Sequence, residues 1–127
     1  MNKDMQIWKG PEGRVVRYDE HGAAQAHRNW IFGSFITLPD GEPLTQSFEV
    51  KKGFAKAGTS RDEWSTDPAG ECFEIILSGK LRKFFKLDGK EETIDTGPGD
   101  AITWHNTVPH RWLALEDTEY VVVRTLR

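Results

Sequence analysis

Between positions 71 and 94 the chain reads Glu71-Cys72-Phe73-Glu74-Ile75-Ile76-Leu77-Ser78-Gly79-Lys80-Leu81-Arg82-Lys83-Phe84-Phe85-Lys86-Leu87-Asp88-Gly89-Lys90-Glu91-Glu92-Thr93-Ile94. Two runs rich in apolar and aromatic side chains, 71–77 and 80–87, close on Ser78-Gly79 and Asp88-Gly89. Asp-Gly between two such runs is a strong short-range hairpin signal and predicts a return strand at 91–94. Working outward, the same grammar recurs. The reading predicts strands at 14–18, 30–38, 46–50, 54–57, 101–104, 111–115 and 119–126, with Lys51-Lys52-Gly53 as a charged turn dividing two of them. No helix-length window keeps apolar spacing at i, i+3, i+4 and i+7 without a Gly or Pro inside it. About ten short strands at near-regular spacing predict an all-β barrel or two-sheet sandwich.

The 127 residues suit one domain. Residues 1–28 are expected to form an irregular lead-in of that domain, and 29–127 the barrel. Hydrophobic residues make up 37% and aromatics 11%, enough for a packed core. With 17 Lys+Arg against 20 Asp+Glu, the formal charge is −3, which argues against non-specific binding to nucleic acid. No apolar run approaches the length of a membrane span, and the first residues lack the apolar stretch of a signal peptide. A single cysteine excludes an internal disulfide and a Cys-rich zinc site. A cytoplasmic protein that engages neither nucleic acid nor membrane is the expectation.

The stretch Gly97-Pro98-Gly99-Asp100-Ala101-Ile102-Thr103-Trp104-His105-Asn106-Thr107-Val108-Pro109-His110 resembles the second motif of the cupin superfamily, with Gly99 and His110 at the family's separation. The stretch from Glu71 to Gly79 resembles the end of the first cupin motif. A narrower likeness to a group of small bacterial cupins lies in Trp30, Gly33, Phe35 and Ile36, then Phe48-Glu49-Val50-Lys51, Arg61-Asp62-Glu63-Trp64 and Val122-Val123-Arg124. The resemblance implies a conical jelly roll with a pocket inside one end, and a homodimer. It also implies where a metal would sit, and there the sequence departs. The family's glutamate position is Cys72, its two histidine positions fall near Thr66 and Pro68, and His110 alone of the four expected ligands remains.

Several residues are candidates for a site. His110 reads either as a pocket-facing imidazole or as a half-buried histidine held by a backbone carbonyl. Glu74 shares a strand face with Cys72. If that face is inward, its carboxylate must be paired, protonated or ligand-bound, and Glu74 becomes a candidate acid/base with His110. Cys72 reads as a ligand-contacting thiol or as a small buried hydrophobe. Trp64, Trp104 and Trp112 flank the motifs and are candidate pocket walls, with His105 beside them, although packing explains any one tryptophan equally well. The Phe84-Phe85 pair among Arg82, Lys83 and Lys86 reads as core more simply than as a stacking surface.

Three functions follow. The leading one is a barrel binding a small organic ligand without the usual metal and with no cofactor. The second is a cofactor-independent isomerase or epimerase of a sugar-like or carbonyl substrate, using Glu74 and His110. The third is a dioxygenase or lyase with a non-standard Fe, Mn, Ni or Zn site built from His110, Glu74, Cys72 and His105.

Overall fold

In the computed structural model, which describes residues 5–67 and 69–126, Asp88 and Gly89 both adopt positive φ, 51° and 75°. These are the backbone angles a two-residue type I′ hairpin requires. The hairpin joins β7 (Leu81–Leu87) to β8 (Lys90–Thr96), in register from Leu81↔Thr96 to Leu87↔Lys90. Ahead of it lie β1 (Gln6–Gly10), β2 (Gly13–Arg17), α1 (Glu20–Ala26), β3 (Trp30–Phe32), β4 (Phe48–Ala55), β5 (Ser60–Ser65) and β6 (Glu71–Ser78). Behind it come β9 (Ala101–His105), β10 (His110–Ala114) and β11 (Thr118–Thr125). The architecture is the expected all-β jelly roll: a five-stranded sheet β3-β4-β11-β6-β9 faces a four-stranded sheet β5-β10-β7-β8. A separate β1-β2 ribbon is tied to the 33–47 loop by Lys9–Asp40 and by Arg14 donating to the Pro43 carbonyl.

The interior has two apolar layers. Ala55, Ile76, Leu81 and Ala114 form one, and Cys72, Phe85 and Trp104 the other. Alternation along β6 and β7 explains both: Cys72, Glu74 and Ile76 are buried on one strand, and Leu81, Lys83 and Phe85 on the other. The middle position of each strand is therefore a charged residue held between the two layers.

Local expectation and structure part in four places. Lys51-Lys52-Gly53 is not a turn; β4 runs through it, paired with β11 from Thr118↔Ala55 to Thr125↔Phe48. Continuous pairing outweighs the poor strand propensity of Lys and Gly. Gly53 is there because Tyr120 lies across it, and a Cβ at 53 would stand 2.3 Å from the tyrosine ring. The strand expected at 30–38 stops at Phe32, and 33–38 turns inward to bury Ile36 and Leu38. β5 forms over Arg61-Asp62-Glu63, where the sequence reading has no strand, because β10 pairs with it. α1 occupies part of the expected irregular lead-in. Asp19 caps it by accepting from the His21 amide, and the helix is too short for any periodicity test to find.

Between β6 and β7 the chain crosses from one sheet to the other at Gly79 (φ +89°), where a Cβ would meet the Asp117 carbonyl oxygen at 2.2 Å. Gly79→Ala should therefore cost more than about 1 kcal/mol, since backbone on both sides must move. Gly89→Ala has the same handedness problem but open space around it. Thermal melts of the two variants test this; equal loss of Tm would show that the close approach at Gly79 carries no cost.

Candidate functional site

Between the two apolar layers lies a cavity of about 350 Å³. Glu74 and Lys83 line it from opposite sheets, 3% exposed each, with Lys83 Nζ 3.3 Å from Oε1 and 3.4 Å from Oε2. Only the Oε2 contact has hydrogen-bond geometry, so Oε1 accepts no hydrogen bond among the described residues. The ammonium also sits 4.6 Å over the Trp104 ring. Burial of this kind is tolerated because each charge finds its opposite and the indole face adds cation–π attraction.

His110, at the start of β10, lines the same cavity. Its Nδ1 is 2.8 Å from the Val108 carbonyl oxygen, which can only accept, so Nδ1 carries the proton and Nε2 keeps its lone pair. Burial lowers its pKa, the Val108 bond opposes that, and the Lys83 charge adds to the lowering. At neutral pH the ring is an uncharged imidazole with a free base nitrogen, packed against Trp104 at 5.4 Å.

Cys72 donates its thiol to Asn106 Oδ1 at 2.8 Å, and Asn106 in turn donates to the Ala69 carbonyl. Burial pushes the thiol up to about 11, so it stays protonated. Trp104 and Trp112 line the cavity with Trp30. Trp64 and His105, also expected at the site, are not brought to it. On β5 the inward positions are Arg61 and Ser65, and Trp64 lies on the other face under Lys86 (4.5 Å) and Arg111 (4.9 Å). On β9 the inward position is Trp104, which leaves His105 exposed and bonded to Thr107.

The basic lining was not anticipated. Lys51, Arg61, Lys83 and Arg124 reach the cavity against two carboxylates, Glu74 and Asp67. Arg124 is held by Glu49 (2.8 Å) and Asp67 (3.5 Å) over the Trp30 ring. Lys51 and Arg61 pair with no carboxylate among the described residues; Arg61 only donates to Ser65 Oγ at 3.3 Å. Tyr120 completes the floor, its phenol pushed up by burial and by Glu74. For Lys83 the signal was available, since it alternates with Leu81 and Phe85 on one face. Lys51 and Arg61 are hidden by charged neighbours that read as turn and surface.

A scan against models of protein families finds no match, and a search of curated proteins finds none either. Solved structures do match. A conserved protein of unknown function from Streptococcus pyogenes aligns over 66% of this chain and 68% of its own at 20% identity and TM-score 0.54. A cupin superfamily protein from Desulfitobacterium hafniense aligns over 68% and 73% at 15% identity and TM-score 0.57. The chain has the cupin fold. An oxalate decarboxylase variant from Bacillus subtilis shares it over 98% of this chain, at 17% identity and TM-score 0.59, and this chain spans only 28% of that enzyme.

Cupin barrels of the kind the motifs resemble hold a metal, and the residues here do not fit one. No group of three or more His, Cys, Asp or Glu among the described residues could hold a metal ion. Cys72 stands where the resemblance places a glutamate, and its proton is retained. Thr66 stands at one histidine position, while Pro68, at the other, lies outside the described residues. Glu74 is taken by an ammonium, and the same cavity gathers three further cations that would repel a divalent ion.

Two outcomes are expected. Lys83→Met strands a buried carboxylate and should cost about 3–5 kcal/mol in chemical denaturation. Adding Glu74→Leu should restore most of that loss, and a double variant no better than the single one would contradict the pairing. On acidification the unfolded chain takes up the His110 proton first, near 6.5, while the folded chain resists. This stability is therefore lost as pH falls from about 6.5 through the lower folded value. Tm should fall more steeply from about pH 7.5 to about 5.5 in the parent than in His110→Gln; parallel curves would refute it.

Proposed function

We propose that this cupin barrel binds a small organic anion in its interior, without the metal its fold relatives would suggest. The observation that carries the reading is the charge of the cavity: four basic side chains against two carboxylates, with Lys51 and Arg61 paired to neither. Uncompensated cations beside a low-dielectric interior are unfavourable until an anion joins them, so the protein's own electrostatics select the ligand's sign. The indoles of Trp30, Trp104 and Trp112 supply flat apolar walls. A volume of about 350 Å³ accommodates a molecule of one ring or a short chain.

The second reading, cofactor-independent acid–base chemistry on a carbonyl or sugar-like substrate, is supported by the tautomer of His110, whose Nε2 is free to take a proton. Glu74 fits that role less well because Lys83 already engages it. The two readings share the cavity and differ in turnover.

Tryptophan fluorescence and calorimetry against a panel of small carboxylates, phosphate esters and neutral sugars test the proposal. Anions should bind with an affinity that falls as salt rises, and Arg61→Gln should weaken them by about tenfold or more, as loss of a charged hydrogen bond does. Binding confined to the neutral sugars, or no response to any anion, would overturn it.

A further inference from the structure

Lys51 is the one amine of the cavity that nothing neutralises among the described residues. Lys83, facing it across the interior, is held by Glu74. Lys52, the next residue, points out of the barrel and pairs with Glu20 at 3.0 Å. Lys51 has no such counter-charge among the described residues. Its Nζ lies 5.9 Å from the centre of the Trp30 ring, on the inward face of β4, opposite Trp30 on β3 and Val122 on β11. The groups that act on it are mostly cationic: Arg61, Arg124 and Lys83, against Glu74 alone. Burial first, and then these like charges, draw its pKa below the ordinary lysine range. An ammonium so placed gives up its proton readily, and the amine that remains is a nucleophile toward carbonyl carbon.

Arg61 narrows the carbonyl class. Its guanidinium lines the same cavity with only a serine hydroxyl as partner among the described residues, and a carboxylate is the group its planar fork matches. A molecule that satisfies both side chains carries a carboxylate and a ketone or aldehyde within one short chain. We propose that Lys51 forms an imine with a small oxo acid, its carboxylate held by Arg61. The inference rests on the anion-binding reading above and adds a covalent step to it.

The step balances without oxidant or reductant. The uncharged Lys51 amine adds its electron pair to the carbonyl carbon, forming the C–N bond as the carbonyl oxygen becomes a hydroxyl. That hydroxyl carries the first of the amine's two protons; it then takes the second and leaves as water, and C=N remains. The sum is amine plus carbonyl giving imine plus one water. His110, neutral with Nε2 free, can take the proton from the attacking nitrogen and return it to the departing oxygen.

The test is reductive trapping on the full chain with 2-oxobutyrate and cyanoborohydride at neutral pH, followed by intact mass and peptide mapping. Butanal serves as the uncharged carbonyl and butyrate as the acid without one. One adduct per chain is expected, at Lys51, formed about tenfold or more faster than at any surface lysine because the reacting species is the uncharged amine. Arg61→Gln should slow trapping of 2-oxobutyrate more than that of butanal, because it removes the carboxylate's partner as well as one of the charges that depress the Lys51 pKa; equal slowing of the two would overturn the role of Arg61. Lys51→Arg should abolish the adduct while its near-ultraviolet circular dichroism stays that of the parent. Adducts spread evenly over exposed lysines, or mapped to Lys83, would overturn the imine proposal even if Lys51→Arg proved unfoldable, since mapping needs no variant. If butyrate binds and Lys51 stays unmodified, the covalent step fails and the anion site stands; if nothing binds and nothing is trapped, both fall.

Discussion

The contact between Lys83 and Glu74 governs the rest of the interior. It spans the two sheets of the barrel, from β7 to β6, at the level where neither apolar layer reaches. A charged residue at the centre of a barrel strand would ordinarily be replaced by an aliphatic one, since such a pair gains little net stability over good packing. Its retention has a geometric consequence. Two long polar side chains that reach toward each other leave space around them that branched aliphatic residues would fill, and that space is the cavity. The contact is also long, 3.3 and 3.4 Å, with one carboxylate oxygen accepting no hydrogen bond among the described residues. Such a pair is not saturated and can share a partner with an incoming ligand.

Around that centre the charges do not cancel. Arg124 has its own two carboxylates and a tryptophan face, so it behaves as structure, stapling β11 to β4 and to the loop at Asp67. Lys51 and Arg61 have none among the described residues. The difference separates cations that hold the barrel together from cations that wait on something else. A bound anion would bring the cavity toward neutrality, which a bound divalent metal would not.

How much of this could be read from residues alone follows from what alternation can and cannot convey. The hairpin at Asp88-Gly89, the face shared by Cys72 and Glu74, and the β-barrel class are legible, because apolar runs between breakers and period-two patterning report directly on backbone direction, while whether that shared face points inward stays open in the sequence. The cation set is not. Lys51 sits in Lys51-Lys52-Gly53, whose composition says turn, and pairing with β11 along its full length, and with Trp30 of β3, keeps it a strand. Arg61 sits beside Asp62 and Glu63, and only pairing with β10 makes that segment a strand with an inward face. Long-range pairing leaves no mark on local sequence. Trp64 shows the same limit in reverse, since its distance from the cavity depends on which parity of β5 faces inward.

The cupin fold places side chains from both sheets around one hollow, and what those side chains are decides the chemistry. Where the resemblance would put metal ligands, this chain has a protonated thiol tied to Asn106 and a threonine. Where it would put the positive charge of a metal, it has ammonium and guanidinium groups fixed by the strands themselves. An ion supplies a point charge with open coordination. Fixed side chains supply directional donors and, in Lys51, a nitrogen that can give up its proton. On the proposed reading, the same hollow would hold a carboxylate and react with a carbonyl beside it, using only groups the chain encodes.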